Sequence, residues 1–192
     1  MIHVQELSKK FGDHWVLRNL NFSVQEGEAF IIQGKNGSGK STLLRILAGL
    51  AKPTRGSVKL DLPESTTQLG YCGLEQSLFA QLSVLEHLQL AAEMRGITSS
   101  HQGLIDRVGL SYHTHHKSGE LSSGLKARLK IALAIQPEPK LLIWDEPGVA
   151  MDDTGRQLIA SVIEEQKRRG ALILATNDPT ERRYGTHELV LE

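Results

Sequence analysis

A glycine-rich segment between an apolar run and a helix-forming run constrains the fold of this chain most strongly. Residues 34–41 read GKNGSGKS, which matches the pattern GxxxxGKS, and they lie between the apolar residues 29–32 and residues 42–48, TLLRILA. A strand, a glycine loop and a helix in this order point successive backbone N–H groups at phosphate oxygens beside a helix start. The sequence therefore predicts a phosphate-binding loop in a fold that alternates strands with helices.

Each residue of this loop is a candidate contact to the phosphates of a nucleotide. Lys40 places a positive charge near the β- and γ-phosphates, and the Ser41 hydroxyl is placed to ligate Mg²⁺. The predicted nucleotide-binding residues of the segment are Gly34, Lys35, Asn36, Gly37, Ser38, Gly39, Lys40, Ser41 and Thr42. The alternative is a glycine turn that only links a strand to a helix, and the lysine, the hydroxyl and the flanking runs together argue against it.

Composition narrows the class of protein. Lys+Arg and Asp+Glu are equal at 22 each, so the net charge is +0, and no basic field indicates a nucleic-acid partner. Cys72 is the only cysteine, which excludes an intramolecular disulfide and predicts a small core residue. No apolar run approaches the about 18 residues that span a bilayer, and the first ten residues lack the pattern of a signal peptide. We expect a soluble chain that docks on a membrane protein.

Hydrophobic periodicity predicts an α/β fold. Alternating residues in the first part of the chain predict antiparallel strands, and continuous apolar runs in the last part predict parallel strands that are buried on both faces. The predicted strands cover residues 2–7, 20–24, 29–32, 57–62, 68–72, 141–145, 171–176 and 188–191. The predicted helices cover residues 42–48, 83–94, 104–108, 122–136 and 154–169. In such a sheet, ligands bind at the carboxyl ends of the strands.

Two adjacent acids close the predicted strand 141–145. Asp145 and Glu146 would stand at the sheet edge where the phosphate loop also opens. Asp145 is a candidate Mg²⁺ ligand, and Glu146 is a candidate base that orients and partly deprotonates an attacking water. The alternative is a pair of acids in a solvated turn, which a phosphate loop and a buried strand in the same chain make the weaker interpretation.

A third segment, residues 121–125, reads LSSGL, and with it the chain resembles the ATP-binding subunits of ABC transporters, whose signature motif reads LSGGQ. A serine hydroxyl and a glycine N–H at a helix start form a second anion site, although a serine there is often only a helix cap. The resemblance implies a head-to-tail dimer of two copies that encloses two ATP molecules. Ser122, Ser123 and Gly124 would then face the nucleotide of the partner copy.

The resemblance covers nearly the whole chain and implies further roles. Phe11 matches the aromatic residue that stacks on adenine, with a core or turn aromatic as the alternative, and Asp152 matches the aspartate of the loop after the acidic strand. We expect one P-loop NTPase domain over residues 1–192. Its parts are an antiparallel β lobe with the phosphate-loop core (1–72), a helical subdomain with the signature (73–136) and the C-terminal part of the core (137–192). A separate transmembrane permease would hold the chain on the cytoplasmic face of the cell membrane.

The chain departs from the family pattern before its predicted helix 83–94. Leu74 stands where the family has a glutamine that senses Mg²⁺ and the γ-phosphate, so Glu75 or Gln76 is the candidate replacement metal ligand. Residues 71–76, YCGLEQ, look like the YLGHQ stretch of the haem-exporter ATPases of cytochrome c maturation. Leu125 replaces the last glutamine of the signature, which we expect the site to tolerate.

Asn177 stands where the family has a switch histidine that contacts the γ-phosphate and the catalytic water. An asparagine donates a hydrogen bond but cannot become cationic. Because loss of one preorganised donor costs about 10² to 10³ in rate, this residue predicts slow hydrolysis, and Asn177→His is expected to raise turnover. Three further histidines, His113, His115 and His116, favour a solvated linker, with a metal or haem site as the alternative.

The leading hypothesis is an ATPase that drives a membrane exporter, with Glu146, Lys40 and Asn177 as catalytic residues and ATP with Mg²⁺ as ligands. The second is a subunit whose nucleotide-dependent dimerisation regulates or assembles a partner, with hydrolysis incidental; Leu74 and Asn177 are its support. A nucleic-acid-linked ATPase is third, because the charge is balanced.

Overall fold

The computed structural model describes residues 1–62, 68–98 and 100–192. Within these residues the strands are β1 (Ile2–Phe11), β2 (His14–Val24), β3 (Ala29–Gly34), β4 (Arg55–Leu60), β5 (Leu69–Cys72), β6 (Leu141–Asp145), β7 (Ala171–Ala175) and β8 (His187–Leu191). The α-helices are α1 (Lys40–Leu47), α2 (Val84–Arg95), α3 (His101–Arg107), α4 (Ser123–Ile135), α5 (Asp153–Arg169) and α6 (Pro179–Arg182).

The strands form two sheets. The first is antiparallel, in the order β2-β1-β4. The second is parallel, in the order β5-β6-β7-β3-β8, so β3 with the glycine loop lies beside β7, and β6 with the two acids lies next to β7. The predicted α/β fold, with a mainly parallel core sheet, flanking helices and an N-terminal antiparallel lobe, is confirmed.

Continuous apolar sequences explain the central strands. All five residues of β6 and of β7 are buried, and their alternate side chains enter two hydrophobic clusters on opposite faces of the sheet. One cluster joins the sheet to helices α2 to α5, and the other joins it to α1 and the antiparallel lobe. Cys72 is buried in the first cluster, as the sequence predicts, and burial raises the pKa of its thiol to about 12. The two clusters therefore attach the helices and the antiparallel lobe to the two faces of the same parallel sheet.

Several strand boundaries differ from the sequence prediction, and the structure explains two of them. Strand β2 begins at His14, six residues earlier than predicted, because it pairs with β1 right up to the turn at Gly12. Strand β4 begins at Arg55, two residues before the predicted start, and so includes Gly56. Gly56 has φ +78°, and a Cβ there would lie 2.3 Å from the Gln5 carbonyl oxygen. The glycine is thus inside the strand because the β1 backbone approaches it closely.

No helix in the described parts of the chain is both long and apolar enough to span a bilayer.

Candidate nucleotide-binding site

The carboxyl ends of β3, β6 and β7 bring the predicted site residues to one edge of the parallel sheet. Ala175 at the end of β7 is in register with Ile32 of β3 on one side and with Asp145 of β6 on the other. Its carbonyl oxygen accepts a hydrogen bond of 2.8 Å from the Glu146 N–H. The sheet therefore places the glycine loop, the two acids and the segment that begins at Thr176 side by side.

The glycine loop has the backbone conformation that only glycines adopt without strain. Gly37 and Gly39 have φ +86° and +98°. A Cβ at Gly39 would also lie 2.7 Å from a methyl group of Val16. Gly39 is the N-cap of α1 and has no side chain to cap it, so the first N–H groups of the helix stay open to an anion. This is the arrangement that the sequence predicts for a phosphate loop.

Lys40 is the cation of this edge. Its side chain is 7% exposed, and its Nζ lies 2.8 Å from the Gly34 carbonyl oxygen and 3.3 Å from Glu146 Oε1. A buried ammonium needs such oxygen partners, and the oxygens of a phosphate group offer the same kind of acceptor. The structure thus joins the predicted phosphate-binding lysine to the predicted catalytic base.

Asp145 and Ser41 fit a magnesium ion. Burial raises the pKa of the Asp145 carboxyl, while a hydrogen bond from Ser41 and the charge of Lys40 oppose that rise. Asp145 Oδ1 is buried and has no hydrogen-bond partner. A hydroxyl and a carboxylate beside a phosphate site are the oxygen ligands that Mg²⁺ takes in such sites. The unpartnered oxygen is therefore explained if a cation completes the site.

Unpartnered polar atoms concentrate at this edge. Among the described residues, three buried side-chain atoms make no hydrogen bond, namely Ser38 Oγ, Asp145 Oδ1 and Glu181 Oε1. Ser38 belongs to the glycine loop, and Glu181 follows β7 by six residues. Buried polar groups without partners are uncommon and cost about 1–3 kcal/mol each. Their position indicates that this edge is built for a polar ligand.

Glu146 carries backbone strain. Its φ is +48°, a left-handed conformation that costs a non-glycine residue on the order of 1–3 kcal/mol. The turn that follows is closed by a hydrogen bond of 3.2 Å from the Val149 N–H to the Glu146 carbonyl oxygen. This conformation turns the side chain toward Lys40. Strain of this kind clusters at functional sites.

Asn177 lies at this edge but differs in its contacts from the sequence expectation. Its Nδ2 donates to the Gly34 carbonyl oxygen at 2.9 Å, and its Oδ1 accepts from the Gly34 N–H at 3.3 Å. Both polar atoms of the amide are therefore bonded to the first residue of the glycine loop. The expected contact with a γ-phosphate stays a prediction.

The two candidate replacements for the missing glutamine have other partners in this structure. Glu75 forms an ion pair with Arg45 of α1, and the Gln76 Oε1 accepts a hydrogen bond of 3.4 Å from the Gly73 N–H. Leu74 is 46% exposed, and its carbonyl oxygen accepts a hydrogen bond from Lys130. A metal contact from Glu75 or Gln76 requires these bonds to break and stays a prediction.

The signature segment caps a helix at another place in the molecule. Ser122 is the N-cap of α4, where its hydroxyl accepts a hydrogen bond of 3.3 Å from the Leu125 N–H. Ser123 is exposed, and a Cβ at Gly124 would lie 2.9 Å from the Ala150 carbonyl oxygen. Leu125 packs against the core, which explains why a leucine fits where the family has a glutamine. The segment lies at the start of α4, whereas the phosphate loop lies between β3 and α1.

Asp152 lies in the loop after β6, as the sequence predicts, and Phe11 lies at the end of β1. The Asp152 carboxylate caps α5 through the Gly155 N–H and pairs with Arg128 of α4 at 2.8 Å. Phe11 ends β1 and is 56% exposed, with the Lys9 ammonium 5.0 Å from its ring centre. The structure thus shows Asp152 as a helix cap and leaves the Phe11 ring accessible. Their nucleotide contacts stay predictions.

Sequence reasoning missed Glu181. It is 4% exposed, its Oε2 forms a short hydrogen bond with the Thr176 hydroxyl, and burial raises the pKa of its carboxyl. A Cβ at Gly148, two residues after Glu146, would lie 2.5 Å from Glu181 Oε1. A single glutamate in a polar segment gives no sequence signal, because only the fold carries it beneath the turn after β6.

The histidine segment shows a ring contact. The rings of His113 and His116 lie 5.0 Å apart between their centres in an edge-to-face arrangement. In the described residues, no group of three or more His, Cys, Asp or Glu side chains is placed to hold a metal ion.

Comparison with known proteins decides the family of the chain. The sequence profile described as ABC transporter matches residues 17–149, which is more than half of the chain. The chain belongs to the ABC transporter family, as a nucleotide-binding domain. The match contains the glycine loop, the signature segment and both acids that follow β6.

Individual relatives of the ABC family agree with this assignment. The chain is 36% identical to the cytochrome c biogenesis ATP-binding export protein CcmA of Rhizobium johnstonii, over 90% of this chain and 86% of that protein. It is 32% identical to the lantibiotic transport ATP-binding protein SrtF of Streptococcus pyogenes, over 92% of this chain and 80% of that protein. It is also 33% identical to the uncharacterized ABC transporter ATP-binding protein YxlF of Bacillus subtilis, but it spans only 62% of the length of that protein.

A solved structure of an ABC cassette matches the fold along the whole chain. This is the dimeric structure of a post-hydrolysis state of the ATP-binding cassette MJ0796 bound to ADP and Pi. The TM-score is 0.89 at 27% identity, and the match covers 100% of this chain and 94% of that one.

Proposed function

We propose that this chain is the ATP-hydrolysing subunit of a membrane transporter. The observation that carries the proposal is the shared sheet edge, where Lys40, Asp145 and Glu146 meet the glycine loop and where the buried Asp145 Oδ1 has no protein partner. ATP hydrolysis needs a phosphate cradle, a cation site and a base for water, and these residues supply all three.

Each residue has a defined task in this mechanism. The glycine-loop N–H groups bind the β-phosphate, and Lys40 reaches the β- and γ-phosphates and stabilises the charge that develops on them. Mg²⁺ held by Ser41 and Asp145 would supply further neutralisation of the phosphate oxygens. Glu146 orients a water for in-line attack on the γ-phosphorus and accepts its proton, as the bond to the β-phosphate oxygen breaks and ADP and phosphate leave.

The functional unit is a dimer in this proposal. Ser122, Ser123 and Gly124 start a helix whose N–H groups are an anion site, and they lie on a different element from the glycine loop. A second copy, placed head to tail, would present them to the nucleotide. The dimeric cassette of similar fold supports this arrangement.

Export is the direction that the relatives support. The implied partner is a transmembrane permease, which would hold this chain on the cytoplasmic face of the membrane. The relatives' names include cytochrome c biogenesis export and lantibiotic transport. The YCGLEQ segment favours the first, because it resembles the corresponding stretch of the haem exporters. Haem export is therefore the specific hypothesis.

A second candidate is a regulatory or assembly subunit that dimerises on nucleotide binding and hydrolyses slowly. Its support is the exposed Leu74 in place of a glutamine, together with an asparagine at 177. Steady-state ATPase measurements with and without the membrane partner separate the two candidates. Stimulated turnover is expected for a transport motor, and equal slow turnover for a regulator.

Replacement of Glu146 by Gln tests the proposed chemistry. The amide keeps the shape of the side chain but cannot accept the proton of the water, so turnover should fall by about 10² to 10³. With ATP and Mg²⁺, size-exclusion chromatography should show a stable dimer. Glu93→Gln, the same change on the exposed face of α2, serves as the control. A variant that stays monomeric with ATP would contradict the dimer, and an undiminished turnover would contradict the role of Glu146.

A further inference from the structure

The Asn177 side chain extends the pairing of β3 with β7. The last backbone hydrogen bond between these strands runs from the Thr176 N–H to the Ile32 carbonyl oxygen at 3.1 Å. Two residues further along β3, the Gly34 N–H and carbonyl bond to the Oδ1 and Nδ2 of Asn177 at 3.3 and 2.9 Å. A primary amide carries an acceptor and a donor on one carbon, as a strand neighbour offers a C=O and an N–H.

Gly34 is confined on its other sides as well. It pairs with Leu191 of β8, and a Cβ on it would lie 2.8 Å from the Leu191 carbonyl oxygen and 2.3 Å from Ser38 Oγ. Its carbonyl oxygen also accepts the bond from Lys40 Nζ. The Asn177 amide therefore completes the confinement of the residue at which the strand becomes the phosphate loop.

The segment that carries Asn177 is itself anchored. Thr176 is fully buried, and its hydroxyl accepts from the Asp178 N–H at 3.0 Å and bonds to the buried Glu181. Asp178 in turn pairs with Arg156 at 2.9 Å. A residue held between these anchors keeps its side chain at Gly34 without any nucleotide.

We propose that Asn177 is a positioning residue, which acts on bound nucleotide through Gly34 and the glycine loop and does not read the γ-phosphate. The proposal rests on the proposed nucleotide site. The loop cradles the β-phosphate, which ADP and ATP share, so the contribution of Asn177 is the same for both. A histidine cannot replace it, because the two ring nitrogens point in diverging directions and cannot bond both polar groups of one residue.

Nucleotide binding separates positioning from γ-phosphate contact. Asn177→Ala and Asn177→His are compared with the parent by titration with fluorescent ADP and with a fluorescent non-hydrolysable ATP analogue, both with Mg²⁺. Loss of two exposed hydrogen bonds should weaken the binding of both nucleotides by the same factor, about threefold to tenfold, in both variants. Loss of affinity for the ATP analogue alone, or faster turnover in Asn177→His, would overturn the proposal.

A matched control exists in the antiparallel lobe. The Asn21 amide also bridges two backbone groups, because its Oδ1 accepts from the Glu6 N–H and its Nδ2 donates to the Asn19 carbonyl oxygen, both at 2.9 Å. Asn21→Ala removes the same kind of contact away from the phosphate loop. It should leave both nucleotide affinities unchanged, and an equal loss in this control would overturn the proposal.

Hydrogen exchange of the nucleotide-free protein provides a readout that does not depend on the proposed function. The Gly34 amide should exchange about threefold to tenfold faster in Asn177→Ala than in the parent, because its hydrogen-bond acceptor is gone. An unchanged exchange rate of the Gly34 amide would overturn the proposal that Asn177 holds Gly34. If the parent binds neither nucleotide, the proposed function fails, while the exchange result still decides whether Asn177 holds Gly34.

Discussion

The phosphate loop and the signature segment both present the start of a helix, yet the two starts differ in what they leave open. At α1 the N-cap is Gly39, which cannot cap, and the adjoining Lys40 is 7% exposed. At α4 the N-cap is Ser122, whose hydroxyl caps the helix, and the surrounding serines are exposed. The start of α1 has no side-chain cap and lies in a partly buried site, whereas the start of α4 is capped at the Leu125 N–H and lies on the surface.

The energetic contrast has the same direction. The phosphate-loop end holds the strained Glu146 and the unpartnered oxygens of Ser38 and Asp145. Such costs persist when the surrounding structure enforces them and a ligand relieves them. The signature end carries an ordinary capped helix. In the proposed dimer, one chain therefore holds the phosphate-loop half of the composite site in a ready state, and its signature half acts on the nucleotide that the partner copy holds.

The largest effect is expected from Lys40→Ala, which removes the cation of the ready half. The phosphate oxygens would lose their buried charge partner, and turnover should fall by about 10³ or more. Steady-state phosphate release and nucleotide titration measure the two losses. Lys59→Ala, on an exposed strand of the antiparallel lobe, is the control for a lost lysine. Turnover within tenfold of the parent would show that Lys40 contributes little at the start of α1. The two helix starts would then differ less in function than in burial.

A smaller effect is expected from Ser123→Arg at the exposed helix start. The long cationic side chain would block a partner nucleotide without disturbing the cap at Ser122, so turnover should fall by about 10². The ATP-dependent dimer of Glu146→Gln should disappear when the two changes are combined. As a control, Gln157→Arg adds the same charge at an exposed position of α5. A dimer that persists in the combined variant would contradict the composite site.

The smallest effect is expected from Glu181→Gln, which tests the support beneath the ready half. Because burial raises the pKa of Glu181, the folded chain holds this proton more tightly than the unfolded chain. Its stabilising contribution is complete at acidic pH and is lost as the pH rises through the raised pKa. The variant should therefore gain in melting temperature relative to the parent as the pH rises above the ordinary pKa of a glutamate, by about 2–4 °C for each kcal/mol involved. If the melting temperatures of the variant and the parent change with pH by the same amount, the result would contradict a buried carboxyl that titrates at position 181.

Much of this site was predictable from residue order, and particular residues show why. Lys40, Ser41 and Asp145 lie in local patterns whose chemistry needs only their immediate neighbours and a buried strand. Asn177 and Glu75 were assigned by position alone, and the structure gives each a contact with a residue remote in sequence, Gly34 and Arg45 respectively. Sequence position marks which loop a residue occupies, but a side-chain partner depends on the packing of several loops.

The sequence by itself determined that this chain alternates strands and helices, that residues 34–41 form a glycine loop between a strand and a helix, and that two acids stand at the end of a buried strand. These are local properties, since periodicity, glycine and charge act within a few residues. Only the tertiary structure decided that Asn177 bonds to Gly34, that Glu181 lies beneath the turn after Glu146, and that Asp152 caps α5. These contacts depend on the order of strands in the sheet, which brings β3, β6 and β7 together from distant parts of the chain.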